Sequence, residues 1–138
     1  MSDSAARLEE AALWLAKAEQ HLLAARILRD GRGPTATACF LCQQAAETAL
    51  KGALVASGLP PPRAHNLVDL CARLPVDLRP TVDLETLGAW TLYAVAPRYP
   101  GFGDARSEAD LPAMLDGVER LVAEIRSRMG PIPTSSPG

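Results

Sequence analysis

The stretch "APRYPGFGD", residues 96–104, sets one guanidinium and two aromatic rings among two prolines and two glycines. These residue types suit a ligand that carries both phosphate and a base. Arg98 offers a planar fork of N–H donors for phosphate oxygens. Tyr99 and Phe102, with Tyr93 just upstream, offer faces on which a base stacks, and Asp104 and Arg106 extend the polar edge. The prolines and glycines fix the loop's path, so Arg98 is positioned with little freedom left to lose on binding. Arg98 also has a plainer reading, because a cation just past a helix C-terminus interacts with the helix dipole and bonds the last carbonyls.

A second polar group lies in "CFLCQQAAETALKGAL". Gln43, Gln44, Glu47, Thr48 and Lys51 fall within an arc of about 140° at 3.6 residues per turn. The arc reads either as a solvated strip on a helix otherwise buried or as a narrow face whose glutamines present donors and acceptors to bases or to a partner chain. Glu47 and Lys51 stand in the favourable i, i+4 order, worth about 0.2–0.5 kcal/mol in isolation. Cys39 and Cys42 form a C-x-x-C with no second Cys or His pair at zinc-finger spacing and no strand before it, so they read as small apolar core residues. His21 falls between stripes on the first helix and reads as partly exposed. His65 precedes a helix cap and suits local hydrogen bonding there. Neither histidine has a serine, cysteine or acid nearby in a triad arrangement, and no phosphate-binding glycine loop is present. No metal site and no cofactor are expected.

The elements that must position these residues are helical throughout. From Leu8, the residues Ala11, Leu15, Ala18, Leu22 and Ala25 follow a three-four spacing that predicts a helix over 5–29, ended by "DGRGP", where Gly31 and Gly33 permit positive φ and Pro34 stops propagation. The polar arc sits on the next helix, apolar on its other sides and therefore central. "LPPPRAHN" is a stiff linker. Asn66 caps a short helix with Leu67, Leu70, Cys71 and Leu74 inward, and Asp83 caps a fourth carrying Leu84, Leu87, Trp90, Tyr93 and Ala94 up to Pro97. Ser107 and Asp110 resemble a capping box for the last helix, whose stripe runs from Leu111 to Met129. "PIPTSSPG" is expected to be a disordered tail over 131–138. The pattern predicts one domain over 1–130, an all-α, antiparallel up-and-down bundle of four long helices and one short one.

At 138 residues and 48% hydrophobic content the chain suits one packed core. Three cysteines, an odd number, and no leading apolar run argue against a secreted disulfide scaffold and for a cytoplasmic protein. No stretch approaches the roughly 20 apolar residues of a membrane span. The net charge of −2 gives no overall attraction to nucleic acid, so an anion site must be local. Twelve of the fourteen basic residues are arginine, which suits bidentate phosphate contacts and fits equally well with genome composition.

Taken in order, "CFLCQQAAETALKGAL", "AHNLVDL" and "LYAVAPRYP" resemble the HEPN family (higher eukaryotes and prokaryotes nucleotide-binding domain) over roughly residues 8–128. The resemblance implies a helical bundle that commonly dimerises, binds RNA or nucleotides, and is often encoded beside a minimal nucleotidyltransferase in a toxin–antitoxin or stress-response pair. Active ribonucleases of the family carry an arginine followed, after four to six intervening residues, by a histidine. Arg98 falls on the arginine, and the places for the histidine hold Gly103, Asp104 and Ala105. The tyrosine that receives AMP in some members is replaced by Ala105. What the resemblance implies is therefore a nucleotide- or RNA-binding partner with little or no catalysis, with a metal-independent ribonuclease or a purely structural module as alternatives. Arg98, Tyr99, Tyr93, Phe102, Asp104, Arg106, Gln43, Gln44, Glu47 and Lys51 are the candidate contacts.

Overall fold

The computed structural model describes residues 3–95, 100 and 104–131. Among the described residues five α-helices follow one another: α1 (Asp3–Asp30), α2 (Thr35–Ala56), α3 (Leu67–Ala72), α4 (Leu84–Thr91) and α5 (Asp104–Met129). Short 3-10 turns occupy Val76–Leu78 and Leu92–Ala94, and no strand occurs among the described residues. α1 runs up and α2 down. α3 and α4 return, and α5 descends beside α2, so that Ser107 near its start faces Thr35 at the start of α2. The predicted all-α bundle is the observed fold, with α4 only eight residues long before it tightens into its 3-10 turn.

α2 is the axis of the core. Ala38, Cys39, Cys42, Ala45, Ala46, Ala49, Leu50, Ala53 and Leu54 are all buried, and most are small, so neighbouring helices approach its backbone closely. At the tightest point a Cβ on Gly52 would lie 2.8 Å from the Trp14 Cβ of α1, so only glycine fits that crossing. Leu15 and Leu22 from α1, Leu67 and Leu70 from α3, Leu87 from α4, and Leu115, Val118, Leu121 and Ile125 from α5 complete the same cluster. Burial pushes the thiols of Cys39 and Cys42 up to about 11 and about 12, in keeping with two inert core side chains.

The caps at Asn66 and Asp83 form as the sequence predicts: Asn66 accepts from the amides of Val68 and Asp69, and Asp83 from that of Thr86. Three local expectations are corrected. The left-handed residue after α1 is Arg32, at φ 56°, and neither Gly31 nor Gly33 takes positive φ. Arg32 closes a Schellman turn in which the Gly33 amide reaches the Leu28 carbonyl at 2.7 Å, and a Cβ on residue 33 would meet Leu28 Cδ2 at 2.7 Å, so that side chain would have to turn aside for a larger residue. Leu84, the first residue of α4, turns outward and is 60% exposed. Ser107 and Asp110 do not cap α5, which starts upstream at Asp104. The Ser107 hydroxyl instead lies buried, 2.6 Å from Thr35 Oγ1, and Asp110 bonds Tyr93, so both find stronger partners across helix interfaces than a local cap offers. Residues 132–138, most of the expected tail, lie outside the described residues.

Candidate functional site

On α2, Gln43, Glu47 and Lys51 occupy successive turns of one side, and the linker after Ser57 folds back over them. Glu47 is the centre. Its Oε2 accepts from Lys51 Nζ at 3.1 Å, and its Oε1 accepts from Gln43 Nε2 at 3.3 Å and pairs with His65 Nδ1 at 2.8 Å. Gln43 Nε2 also donates to the His65 carbonyl at 3.1 Å, while Gln44 Nε2 donates to Gln43 Oε1 at 2.7 Å. Residue 65 is thus gripped at its ring and at its backbone.

The solvated-strip reading of this arc is corrected, since Gln43, Glu47 and Thr48 are buried and Glu47 is only 6% exposed. A buried carboxylate is tolerable when a cation and hydrogen-bond donors surround it, as Lys51, Gln43 and His65 do. The His65 side chain, in contrast, is 57% exposed. An ionised Glu47 accepts the Nδ1 proton, which leaves Nε2 as the outward nitrogen with no hydrogen bond among the described residues. His21 lies beside the group on α1. Its pKa is lowered by burial and by the Lys17 charge, against the pull of Glu47.

A second candidate lies between α4 and α5, where a groove of ≈ 610 Å³ is lined by Trp90, Tyr93, Arg106, Asp110, Arg120 and Glu124 among others. The Trp90 indole rests over Gly117, where a Cβ would come within 2.7 Å of its Cζ2. Tyr93 gives its ring to the core, 2% exposed, and its hydroxyl donates to Asp110 Oδ2 at 2.6 Å. Burial, and then that bond, push its hydroxyl pKa up. The expected stacking role is corrected accordingly, because a ring so buried presents no open face to a base. Arg106 stands 3.7 Å from Asp110 and Arg120 3.0 Å from Asp116, both exposed pairs. Thr81 donates to Glu124 from its amide and hydroxyl at 2.8 and 2.6 Å; against the opposing effect of burial, these bonds hold the carboxyl below its usual range. Asp83, Asp110, Asp116 and Glu124 outnumber Arg106 and Arg120 in the lining, so this groove has no net attraction for phosphate.

Residues 11–128 match the HEPN domain family. The chain belongs to the HEPN family. Its fold is similar to that in the crystal structure of TT1696 from Thermus thermophilus, with a TM-score of 0.71 and 31% identity over 86% of this chain and 97% of that one. No curated protein matches the chain. HEPN domains form a nucleotide- and RNA-related family whose members often dimerise. No helix among the described residues is long and apolar enough to cross a membrane.

The HEPN fold brings some of the predicted site residues together. Gln43, Gln44, Glu47 and Lys51 form one group with His65, and Tyr93 and Arg106 meet at Asp110. Arg98, Tyr99 and Phe102 lie outside the described residues, as does the side chain of Asp104. Sequence reasoning missed the tie between His65 and Glu47, eighteen positions apart, and that between Thr35 and Ser107, seventy-two apart. The first left one signal: a histidine just before the Asn66 cap, downstream of a helix whose polar arc contains a single carboxylate.

Proposed function

We propose that this HEPN protein binds a nucleotide or RNA as a homodimer and serves as the partner of a minimal nucleotidyltransferase in a toxin–antitoxin or stress-response pair, with little or no catalysis of its own. One observation carries the reading: Arg98 stands where HEPN ribonucleases have their arginine, while Gly103, Asp104 and Ala105 fill the places of the histidine. Arginine steadies phosphate charge but does not release a proton near neutral pH, so the loop offers a phosphate contact without the family's histidine to move a proton. The dimer is supported by the outer face of α1, where Leu13 (72% exposed) and Ile27 (61%) flank Leu23 on the side opposite the core.

The test is affinity and melting temperature measured together on Arg98→Ala. Loss of about 1–3 kcal/mol in RNA or nucleotide binding at nearly constant melting temperature is expected. Unchanged affinity with a lowered melting temperature makes Arg98 a helix-end cation and overturns the reading.

A second reading, a metal-independent ribonuclease, is favoured by one specific feature. The His65–Glu47 pair places an imidazole on the surface with a buried carboxylate behind it, which is a general-base arrangement.

A further inference from the structure

We propose that His65 is the proton-accepting residue of an RNA-cleaving site above α2, with Glu47 as its positioning residue; this rests on the ribonuclease reading.

The His65 ring is fixed through Glu47. That carboxylate cannot swing away, because Lys51 holds Oε2 and Gln43 holds Oε1, and the same Gln43 amide holds the His65 carbonyl. A ring anchored at Nδ1 by an ionised carboxylate carries its proton there, so in the neutral form the Nε2 lone pair points outward. A base and its orienting carboxylate are two parts of a hydrolytic constellation; the third, a nucleophile, is supplied by no side chain bonded to Nε2 among the described residues. On this proposal the ligand supplies the nucleophile. A ribose 2′-hydroxyl beside a phosphodiester provides nucleophile and electrophile in one molecule, and it is the group that distinguishes RNA from DNA.

Nε2 takes the 2′-hydroxyl proton as the 2′-oxygen bonds to phosphorus. The bond from phosphorus to the 5′-oxygen then breaks, and the imidazolium returns its proton to that leaving oxygen. The products are a 2′,3′-cyclic phosphate and a 5′-hydroxyl, with no oxidant, reductant or metal required. Arg63, exposed two residues before His65, and Lys17, exposed on α1 near His21, are cations available to the phosphate chain.

The experiment incubates the purified full chain with a labelled single-stranded RNA in the presence of a chelator and maps the new ends. The wild type is expected to leave 2′,3′-cyclic phosphate ends, His65→Gln to slow cleavage by about 10²–10⁴-fold at unchanged helicity, and Glu47→Gln to slow it less. The ring ¹⁵N spectrum of His65 reads the positioning directly. The expected form is the Nδ1–H tautomer in the wild type, shifting toward Nε2–H in Glu47→Gln. Cleavage by His65→Gln at the wild-type rate overturns the assignment and leaves the ribonuclease reading standing, whereas an Nε2–H tautomer in the wild type overturns the role given to Glu47. No cleavage above a protein-free control overturns both the assignment and the reading it rests on.

Discussion

The α2 group and the α4/α5 groove use the same ingredients, a carboxylate, a cation and a hydrogen-bonding ring, to opposite effect. In the α2 group the carboxylate is buried and its partners converge on it, and the ring turns its free nitrogen outward. In the groove the ring is buried, and the Arg106–Asp110 and Arg120–Asp116 pairs stand in water. Burial decides which member of each set is structural and which is available. Glu47 holds its neighbours in place and leaves the His65 ring exposed. Tyr93 is held by the core and by Asp110, and Arg106 stands exposed beside that carboxylate.

The largest test of this contrast removes the buried carboxylate. Glu47→Ala leaves the Lys51 ammonium, whose side chain is only 12% exposed, without its counter-ion, together with two donors that lose their acceptor. A loss of about 3–5 kcal/mol in denaturant unfolding is expected. Lys51→Met added to that variant should recover part of the loss, since the stranded charge is then gone. A loss below about 1 kcal/mol would place Glu47 with the surface pairs and erase the distinction.

Tyr93→Phe comes next. It keeps the ring packing and removes the bond to Asp110, a carboxylate that water can still reach, so unfolding should become easier by about 0.5–1.5 kcal/mol. Arg120→Ala breaks only an exposed i, i+4 pair with Asp116 and should cost no more than about 0.5 kcal/mol by the same measurement. A larger cost would mean that the groove is drier than its exposed ion pairs imply.

These ranks follow burial, and burial is where the sequence was least legible. The helix stripes, the Asn66 and Asp83 caps and the buried cysteines could be read from spacing alone, because a helix's inward face and its first turn are set by residues within one or two turns of each other. The polar arc could be located but not understood. Whether Gln43, Glu47 and Lys51 face water depends on where the linker through His65 returns, and no local pattern encodes that path. Ser107 and Asp110 misled for the same reason, as a capping spacing is a local signal and Thr35 and Tyr93 are distant partners. Tyr93 carried two readings, core or stacking face, and only the packing of the 3-10 turn after α4 against α2 and its bond to α5 separate them.

His21 gives the smallest effect and the finest probe of the boundary between dry and wet. Its pKa lies below the ordinary histidine value because burial disfavours the charged ring and Lys17 repels it, with Glu47 opposing both. The unfolded chain therefore takes up this proton first on acidification. The stability contributed by a neutral His21 is complete above the ordinary value near 6.5 and is lost as pH falls through the lower folded value. Asp83 and Glu124 keep their carboxyls below the usual range and so stay ionised across that window, and His65, the other of the two histidines, is common to both proteins compared. Melting temperature followed from about pH 7.5 to 5 should fall more steeply for the wild type than for His21→Gln. Coincident slopes would mean that water reaches the His21 ring as freely as it reaches an exposed one, and the dry side of the α2 group would then stop short of α1.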